Sequence, residues 1–560
     1  MSGMSAGPDI AALMVAGANA FGRRDFDAAE RAYRDALAVD PSERAARFNL
    51  GKVYEATARY DDALATYAEL VRAHPDDVES WVRIGVVHYA QARVPEARTA
   101  FSAALRLVPA HPLAALNAGI AAIAAGDYDA AVQILRVAAQ AHPARGDLGA
   151  AMAGALHLGG DGAGAARAAR AVLERDPVNV EALLVLGRIA YDAGAFDDAR
   201  SAFDAACEHA PQRFEPWMNL AVLDHGLGRV AQALPAAERA VALAPDRPEA
   251  RVNLGMTQLL AGDFASGFAN VEARHALPGA AERAAMLATA GVPPWDGSSL
   301  DGGTLLVTRD QGIGDFVLWS RFFGATRARG VRLAVECPAA LLPLYREHPD
   351  IDALYVERAP DAVLVACAAY LPVCRLPYAL GMSAVPVPSG VPYLAPDPQR
   401  VAGYRAAFAD YGAARAFGIV WAGDPTHRLD RFRSCSLDRF VALAGIPDVA
   451  WVSLQVGARS TDAPPPGFDL HHLGAGPADF GETAAAIAAL DGVITVDTAV
   501  AHVAGALGAP VWVLHGFGHY WLWGVERADS PWYPTMRHFR QREPGRWDDV
   551  FPGVRSALLS

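Results

Sequence analysis

The stretch RDQGIGDFVLW, Arg309 to Trp319, sets two glycines and one carboxylate between an apolar run, Thr304–Val307, and a helix-like run that begins at Phe316. Such a loop is either a plain turn whose acid caps a helix, or the lip of an active site with a carboxylate ready for proton transfer. Two more loops share its character: GDPTHRLDRFR from Gly423 to Arg433, and DTAVAH from Asp497 to His502. Glycines, acids, arginines and a histidine therefore recur at three places. No HExxH, CxxC or Cys/His cluster accompanies them, so no metal is expected, and the five scattered cysteines read as reduced thiols.

Each loop follows a strand-like run. TLLVTR (304–309), FGIVWAG (417–423) and GVITVDT (492–498) precede the three loops, and VRLAVEC (331–337), ALYV (353–356), AWVSLQ (450–455) and VWVLHG (511–516) are further strands. Helical patterns over 316–328, 339–348, 482–490 and 499–507 alternate with them. Alternation predicts parallel sheets, and near-continuous apolar strands predict burial on both faces. Two such modules in tandem leave a cleft, and ligands in these folds sit at the carboxyl ends of strands, where the three loops stand. Linker composition at 283–302 and a Pro-rich stretch at 385–399 divide the region into 303–400 and 401–560. The pair His471–His472 reads as a loop without function. The aromatics Tyr520, Trp521, Trp523, Trp532 and Tyr533 suit either stacking on a base or sugar or a core between modules.

Residues 1–282 follow a different rule. Prolines recur every 34 residues at 41, 75, 109, 143, 177, 211 and 245. Small residues recur with them, at Gly17, Gly51, Gly85, Gly119, Ala153, Gly187, Ala221 and Gly255, and at Ala29, Ala63, Ala97, Ala131, Ala165, Ala199 and Ala233. They let antiparallel helices approach closely, proline ends the second helix of each pair, and Tyr33, Tyr67, Phe101 and Phe203 are expected to fill the gap between successive hairpins. The fifth copy, near 153–169, lacks aromatics and is expected to be the softest. This pattern resembles the tetratricopeptide repeat: seven full copies and a partial eighth, stacked as an all-α solenoid. The resemblance implies that the sixth position of each first helix faces a peptide-binding groove. Asn49, Asn117, Asn219 and Asn253 occupy it, with Arg83 at one equivalent. A carboxamide both donates and accepts, so such a ladder suits a polypeptide backbone. Asparagine there for helix–helix bonding is the plainer reading.

The later motifs, QGIGD, GIVWAGDPTHRLDRFRS, DTAVAHVAGALGAPVWVL and DSPWYPTMRHFRQ, are similar in order and spacing to heptosyltransferase-like glycosyltransferases, over roughly residues 300–545. The resemblance implies an α/β GT-B fold of two Rossmann-like halves, inversion at the sugar and no metal. It implies Asp315 as the general base beside Gly312 and Gly314. It assigns donor binding to Gly312, Gly314, Gly423, Thr426, Arg431, Arg433, Asp497, Thr498, Ala499 and His502, with the start of the 499 helix on the phosphate. The chain departs from the family with Ala499 where glycine is common and arginine where lysine is common. The combined layout resembles protein O-GlcNAc transferases and bacterial flagellin glycosyltransferases. It implies a cytoplasmic transferase moving a sugar from a nucleotide donor, by analogy a CMP-nonulosonate, to Ser or Thr of a protein such as flagellin. The alternatives are a non-catalytic scaffold or an enzyme acting on lipopolysaccharide or another glycan.

Bulk composition narrows the classes further. A net charge of −13 argues against a general nucleic-acid binder, which needs clustered Lys and Arg. No apolar run of membrane-spanning length occurs, and the first residues show no basic-then-apolar signal pattern.

Overall fold

A computed structural model describes residues 9–382, 390–427, 430–473, 477–518 and 520–559, the side chain of Arg431 excepted. The Pro-rich stretch 385–399 thus lies partly outside the described residues. The chain divides into two compact units, 1–211 and 212–560.

In the first unit, twelve helices from Ile10–Gly22 to Phe196–His209 pair as six antiparallel hairpins, each packed on the next. Carboxylates start several of them: Asp25, Asp127 and Asp161 each accept a backbone N–H of the first turn. The recurring glycine has a steric cause. A Cβ on Gly17, Gly51, Gly85 or Gly187 would lie 2.6, 2.6, 2.4 or 2.3 Å from a ring carbon of Tyr33, Tyr67, Phe101 or Phe203. Each ring therefore rests on the glycine of its own hairpin, and Tyr67 shares a core cluster with Ile84 and Val87 of the next hairpin, as Phe101 does with Ala114 and Ala118. Where an alanine replaces the glycine, at Ala153, the hairpin closes through Ala153, Ala169 and Val172. The residue between the two helices of each hairpin is left-handed: Arg24, Ala58, Ala92, Gly126, Gly160 and Gly194 all have positive φ, again 34 apart.

The second unit opens with two more hairpins. They pair helices Phe214–Gly226 with Val230–Leu243 and Pro248–Leu260 with Phe264–Val271. The last helix is short and runs into a 3-10 turn, Glu272–Ala276. Two parallel sheets follow. The first contains β1 (Thr304–Thr308), β2 (Arg332–Cys337), β3 (Ala353–Val356) and β4 (Ala369–Pro372), in the order 3-2-1-4. The second contains β5 (Arg415–Val420), β6 (Val449–Ser453), β7 (Leu470–His472), β8 (Gly492–Val496), β9 (Val511–His515) and β10 (Met536–Arg540). Its order, 10-9-8-5-6-7, is the doubly wound 3-2-1-4-5-6 arrangement read from the other edge.

Several elements differ from expectation. His471–His472 is not a loop but lies in edge strand β7, with His471 stacked on Tyr411 at 3.8 Å. β4 resolves a stretch whose short apolar runs had no clear period, and β10 uses alternating Arg and apolar residues that read as a tail. The expected 316–328 helix starts earlier and breaks, giving Ile313–Ser320 and Phe323–Arg327, so that Phe316, Phe322 and Phe323 are all fully buried. The helix Pro398–Ala409 spans the expected boundary at 400 and packs on the second module: Tyr404 donates to Glu482 (2.9 Å) and Arg400 pairs with Glu482 (2.9 Å). Among the described residues no helix is long and apolar enough to cross a membrane.

Replacing Gly187 with Ala should cost about 1–3 kcal/mol, because the buried Phe203 ring has nowhere to move. A lowered thermal midpoint by circular dichroism checks this, and the outward-facing Gly194 is unsuitable as a control because of its positive φ.

Candidate functional site

Both sheets reverse direction once, and the chemical residues gather at those points. In the first sheet the reversal falls between β1 and β4, in the second between β5 and β8. A crevice opens outside the carboxyl ends of the strands at such a point. Gly312–Asp315 follow β1, Gly423–Arg433 follow β5, and Asp497–His502 follow β8.

The first sheet contributes Asp315. It is the third residue of the Ile313–Ser320 helix, not its cap. Gly312 is the cap, and its N–H donates to the Asp315 carboxylate at 3.3 Å. Gly314 lies against the second module: a Cβ there would sit 2.7 Å from Cδ2 of His502. The missing side chain lets this helix meet the Ala499–Ala506 helix, and that contact carries Asp315 toward Asp497. Burial pushes the Asp315 carboxyl up to about 6; the Gly312 N–H opposes this, Asp310 and Asp497 add to it, and Arg274 opposes it. Asp315 is thus ionised at neutral pH yet a stronger base than an ordinary aspartate.

The second sheet supplies the opposite wall. Burial raises Asp497, while Arg433, the Trp523 indole and Arg540 favour its charge. Thr498 caps the Ala499–Ala506 helix with extended backbone but no side-chain bond to it. Its hydroxyl instead meets that of Thr495 at 3.1 Å, and Thr495 is itself bound to the Val496 carbonyl at 2.8 Å. The first-turn amides of the helix are thus left uncapped by any side chain, which suits an anion. Gly423 donates to Ser434 at 2.9 Å, and a Cβ on it would lie 2.8 Å from Asp430 and 3.5 Å from Arg433. The Arg433 Nε is buried without a hydrogen-bond partner. Thr426 is exposed and closes a turn with Asp424 (2.7 Å). Arg431 has its side chain outside the described residues.

His502, expected at the donor, faces the module contact instead. It is 6 % exposed, its Nδ1 lies 3.0 Å from the Tyr533 hydroxyl, and burial with Arg321 nearby lowers it to about 3. It is a neutral spacer between modules. The aromatic group is core: Trp521 stacks on Trp319 of the first module at 6.1 Å, beside Trp532, with Phe268 of the last hairpin edge-on at 5.9 Å. Tyr520 differs, because the charges of Asp315 and Asp497 act on its hydroxyl. Burial and those two charges hold it well above the usual range.

The asparagines differ among themselves. Asn117 and Asn219 each donate an amide hydrogen to a carbonyl of their own helix, that of Leu113 (2.9 Å) and Glu215 (2.8 Å), a bond within one helix rather than between helices. Arg83 is tied to Glu55 at 3.2 Å. Asn253 lines a cavity of about 170 Å³ with Val222, His225, Met256 and Thr257. Met256 also packs against the core that contains Trp521.

Sequence reasoning missed Asp310, Arg274 and Arg540, and singled out Tyr520 only as one of an aromatic group suited to stacking or core. Arg540 ends β10 and donates to the Trp523 carbonyl at 2.6 Å; burial lowers it to about 10, and Asp497 works against that shift. Only its place at a strand's carboxyl end could have marked it.

Fold and site together define a class: helical-repeat hairpins joined to two parallel α/β modules that meet through the Ile313–Ser320 and Ala499–Ala506 helices. Comparison with known proteins makes this more definite. The chain carries tetratricopeptide repeats over 15–78, 82–145, 159–214 and 220–282, and a segment matching glycosyltransferase family 9 (heptosyltransferase) over 470–543. It is 28% identical over 296 residues to Protein FlbA of Caulobacter vibrioides, covering 47% of this chain and 48% of that one, so it spans about half the length of this curated relative. Among solved structures it resembles a tetratricopeptide repeat protein from Parabacteroides merdae (13% identity, 44% of this chain and 98% of that one, TM-score 0.40) and the Cut9–Hcn1 assembly (16%, 48% and 54%, TM-score 0.36).

Because the folded Asp315 holds its proton more tightly than an unfolded aspartate, stability falls as pH rises from about 4 to about 6 and stays lower above that. Asp315→Asn should therefore stabilise the protein at pH 8, by at most roughly 3 kcal/mol and seen as a raised melting temperature, and leave its stability unchanged at pH 4. If the gain of Asp315→Asn over wild type is no larger at pH 8 than at pH 4, the burial of this carboxylate is contradicted.

Proposed function

We propose that this chain is a GT-B glycosyltransferase that moves a sugar from a nucleotide-sugar donor to a Ser or Thr hydroxyl of a polypeptide held by the repeats. Inversion and metal independence are part of the proposal. The observation that carries it is the convergence of Asp315, on one module, with Asp497 and the uncapped start of the Ala499–Ala506 helix on the other. The acceptor oxygen attacks the anomeric carbon, its proton passes to Asp315, and the bond to the donor phosphate breaks. The charge released on the phosphate meets the helix amides, Arg433 and Arg540. Tyr520 stands beside both carboxylates and can hold a sugar or acceptor hydroxyl. Flagellin as acceptor, a CMP-nonulosonate as donor and a cytoplasmic setting are proposed by analogy alone.

The repeats would deliver the polypeptide. The cavity beside Asn253 resembles in size one of roughly 150 Å³ that holds a benzene ring, so it suits one medium apolar side chain while the Asn253 carboxamide meets the backbone.

Three measurements test this. Asp315→Ala should lower transfer by about 100-fold or more, read as loss of the intact-mass shift on co-expressed flagellin, and wild-type kcat/KM should fall on the acid side with an apparent pKa near 6. Persistence of the mass shift in a folded Asp315→Ala protein would refute the base. Among CMP, UDP, GDP and ADP, one should raise the melting temperature by linkage, and Arg433→Ala should abolish that rise. Asn253→Ala should raise the acceptor KM more than Asn117→Ala or Asn219→Ala, whose amides already serve their own helices; equal effects would remove Asn253 from acceptor binding.

A further inference from the structure

The 3-10 turn that follows the last repeat hairpin reaches the reversal crevice of the first sheet. Arg274 lies 3.9 Å from the Asp310 carboxylate and also contacts the Cys374 thiol. Asp310 follows β1 and Cys374 follows β4, so the two flank the crevice. The Cys374 N–H donates to Asp310 at 3.3 Å, and its thiol donates to the other carboxylate oxygen. On the same turn, Glu272 pairs with Arg375, the residue after Cys374. The turn is therefore fastened to the first module at two adjacent points, and Arg274 is only 17% exposed.

The charges explain why a cation is needed here. The charges of Asp310 and Asp497 both act on Asp315, and those of Asp315 and Asp497 act on the Tyr520 hydroxyl. Like charges each raise the others' proton affinity. Arg433 and Arg540 face Asp497 on the far wall, and the His502 ring beside Gly314 is neutral. Among the described groups acting on Asp315, Arg274 is the cation. It bonds the cluster at Asp310, five residues upstream of the base.

We propose that Arg274, supplied by the turn after the repeats, is a positioning residue for Asp315: it neutralises Asp310, pins the 309–312 loop across the crevice through Cys374, and so keeps Asp315 able to ionise near neutral pH. The role rests on the reading of Asp315 as the base, but its geometry does not. It makes the last repeat hairpin part of the catalytic module, because the chain segment leaving that hairpin completes the electrostatics around Asp315. Nothing in the repeat period announced this, since Arg274 falls in the stretch where the period stops.

The test uses the full-length protein and needs neither donor nor acceptor. Melting temperatures of wild type and Asp315→Asn are compared from pH 4.5 to 8.5, and their difference traces the ionisation of Asp315. The same pair is then measured in an Arg274→Gln background. The midpoint of the difference should move up by at least about 0.5 pH unit, and Arg274→Lys should hold it near the wild-type position. Should Arg274→Gln not fold, Asp310→Asn provides the opposite arm, and the midpoint should move down. An unmoved midpoint in Arg274→Gln, or in Asp310→Asn where that arm is used, overturns the proposal. That outcome leaves the transferase reading standing, which is decided separately by the mass shift on the acceptor.

Discussion

The absence of a side chain at Gly314 governs the arrangement. The Ile313–Ser320 helix can meet the Ala499–Ala506 helix only because a Cβ at this position, which would press on the His502 ring, is missing. His502 is in turn held by the Tyr533 hydroxyl and lies against Trp523, with ring centroids 5.1 Å apart. One close approach thus sets the spacing of the two modules, and the spacing sets how strongly Asp315 and Asp497 feel each other. A buried carboxylate facing another carboxylate is costly in isolation. It is tolerated because Arg274, Arg433 and Arg540 stand around the pair and because the surrounding core is large and aromatic.

That core is shared rather than partitioned. Trp521 from the second module stacks on Trp319 from the first, and Phe264 and Phe268 from the last repeat hairpin pack edge-on against Trp521. Edge-to-face and stacked aromatic pairs contribute about 0.5–1.5 kcal/mol each beyond their buried area. The final hairpin and both sheets therefore belong to one cooperative body. This explains why the second compact unit begins inside the repeat region, at Gln212, and not at the linker where the sequence period ends.

The repeats show how a period works physically. The 34-residue spacing is visible because three separate requirements recur in phase: a glycine under an aromatic ring, a left-handed residue between helices, and a helix end at proline. Each is local, so each leaves a mark on residue type. The asparagine positions recur as well, but their roles diverge: Asn117 and Asn219 bond their own helices and Asn253 lines a cavity. Residue type alone could not separate these, because a carboxamide satisfies either geometry.

The sequence by itself determined the helical hairpins, the alternation that makes two parallel sheets, and the three loops at strand ends, since periodicity, glycine placement and capping act over a few residues. It also carried the two later motifs, DTAVAHVAGALGAPVWVL and DSPWYPTMRHFRQ, which fall in the segment matching glycosyltransferase family 9. It could not show β7 or β10, whose short polar runs become strands only by pairing with β6 and β9. Nor could it show that His502 turns inward, that Trp521 is core, or that Arg274 reaches Asp310 from 36 residues away. Those are meetings between distant segments. They depend on which surfaces pack together and how much water they exclude, and only the tertiary structure decides that.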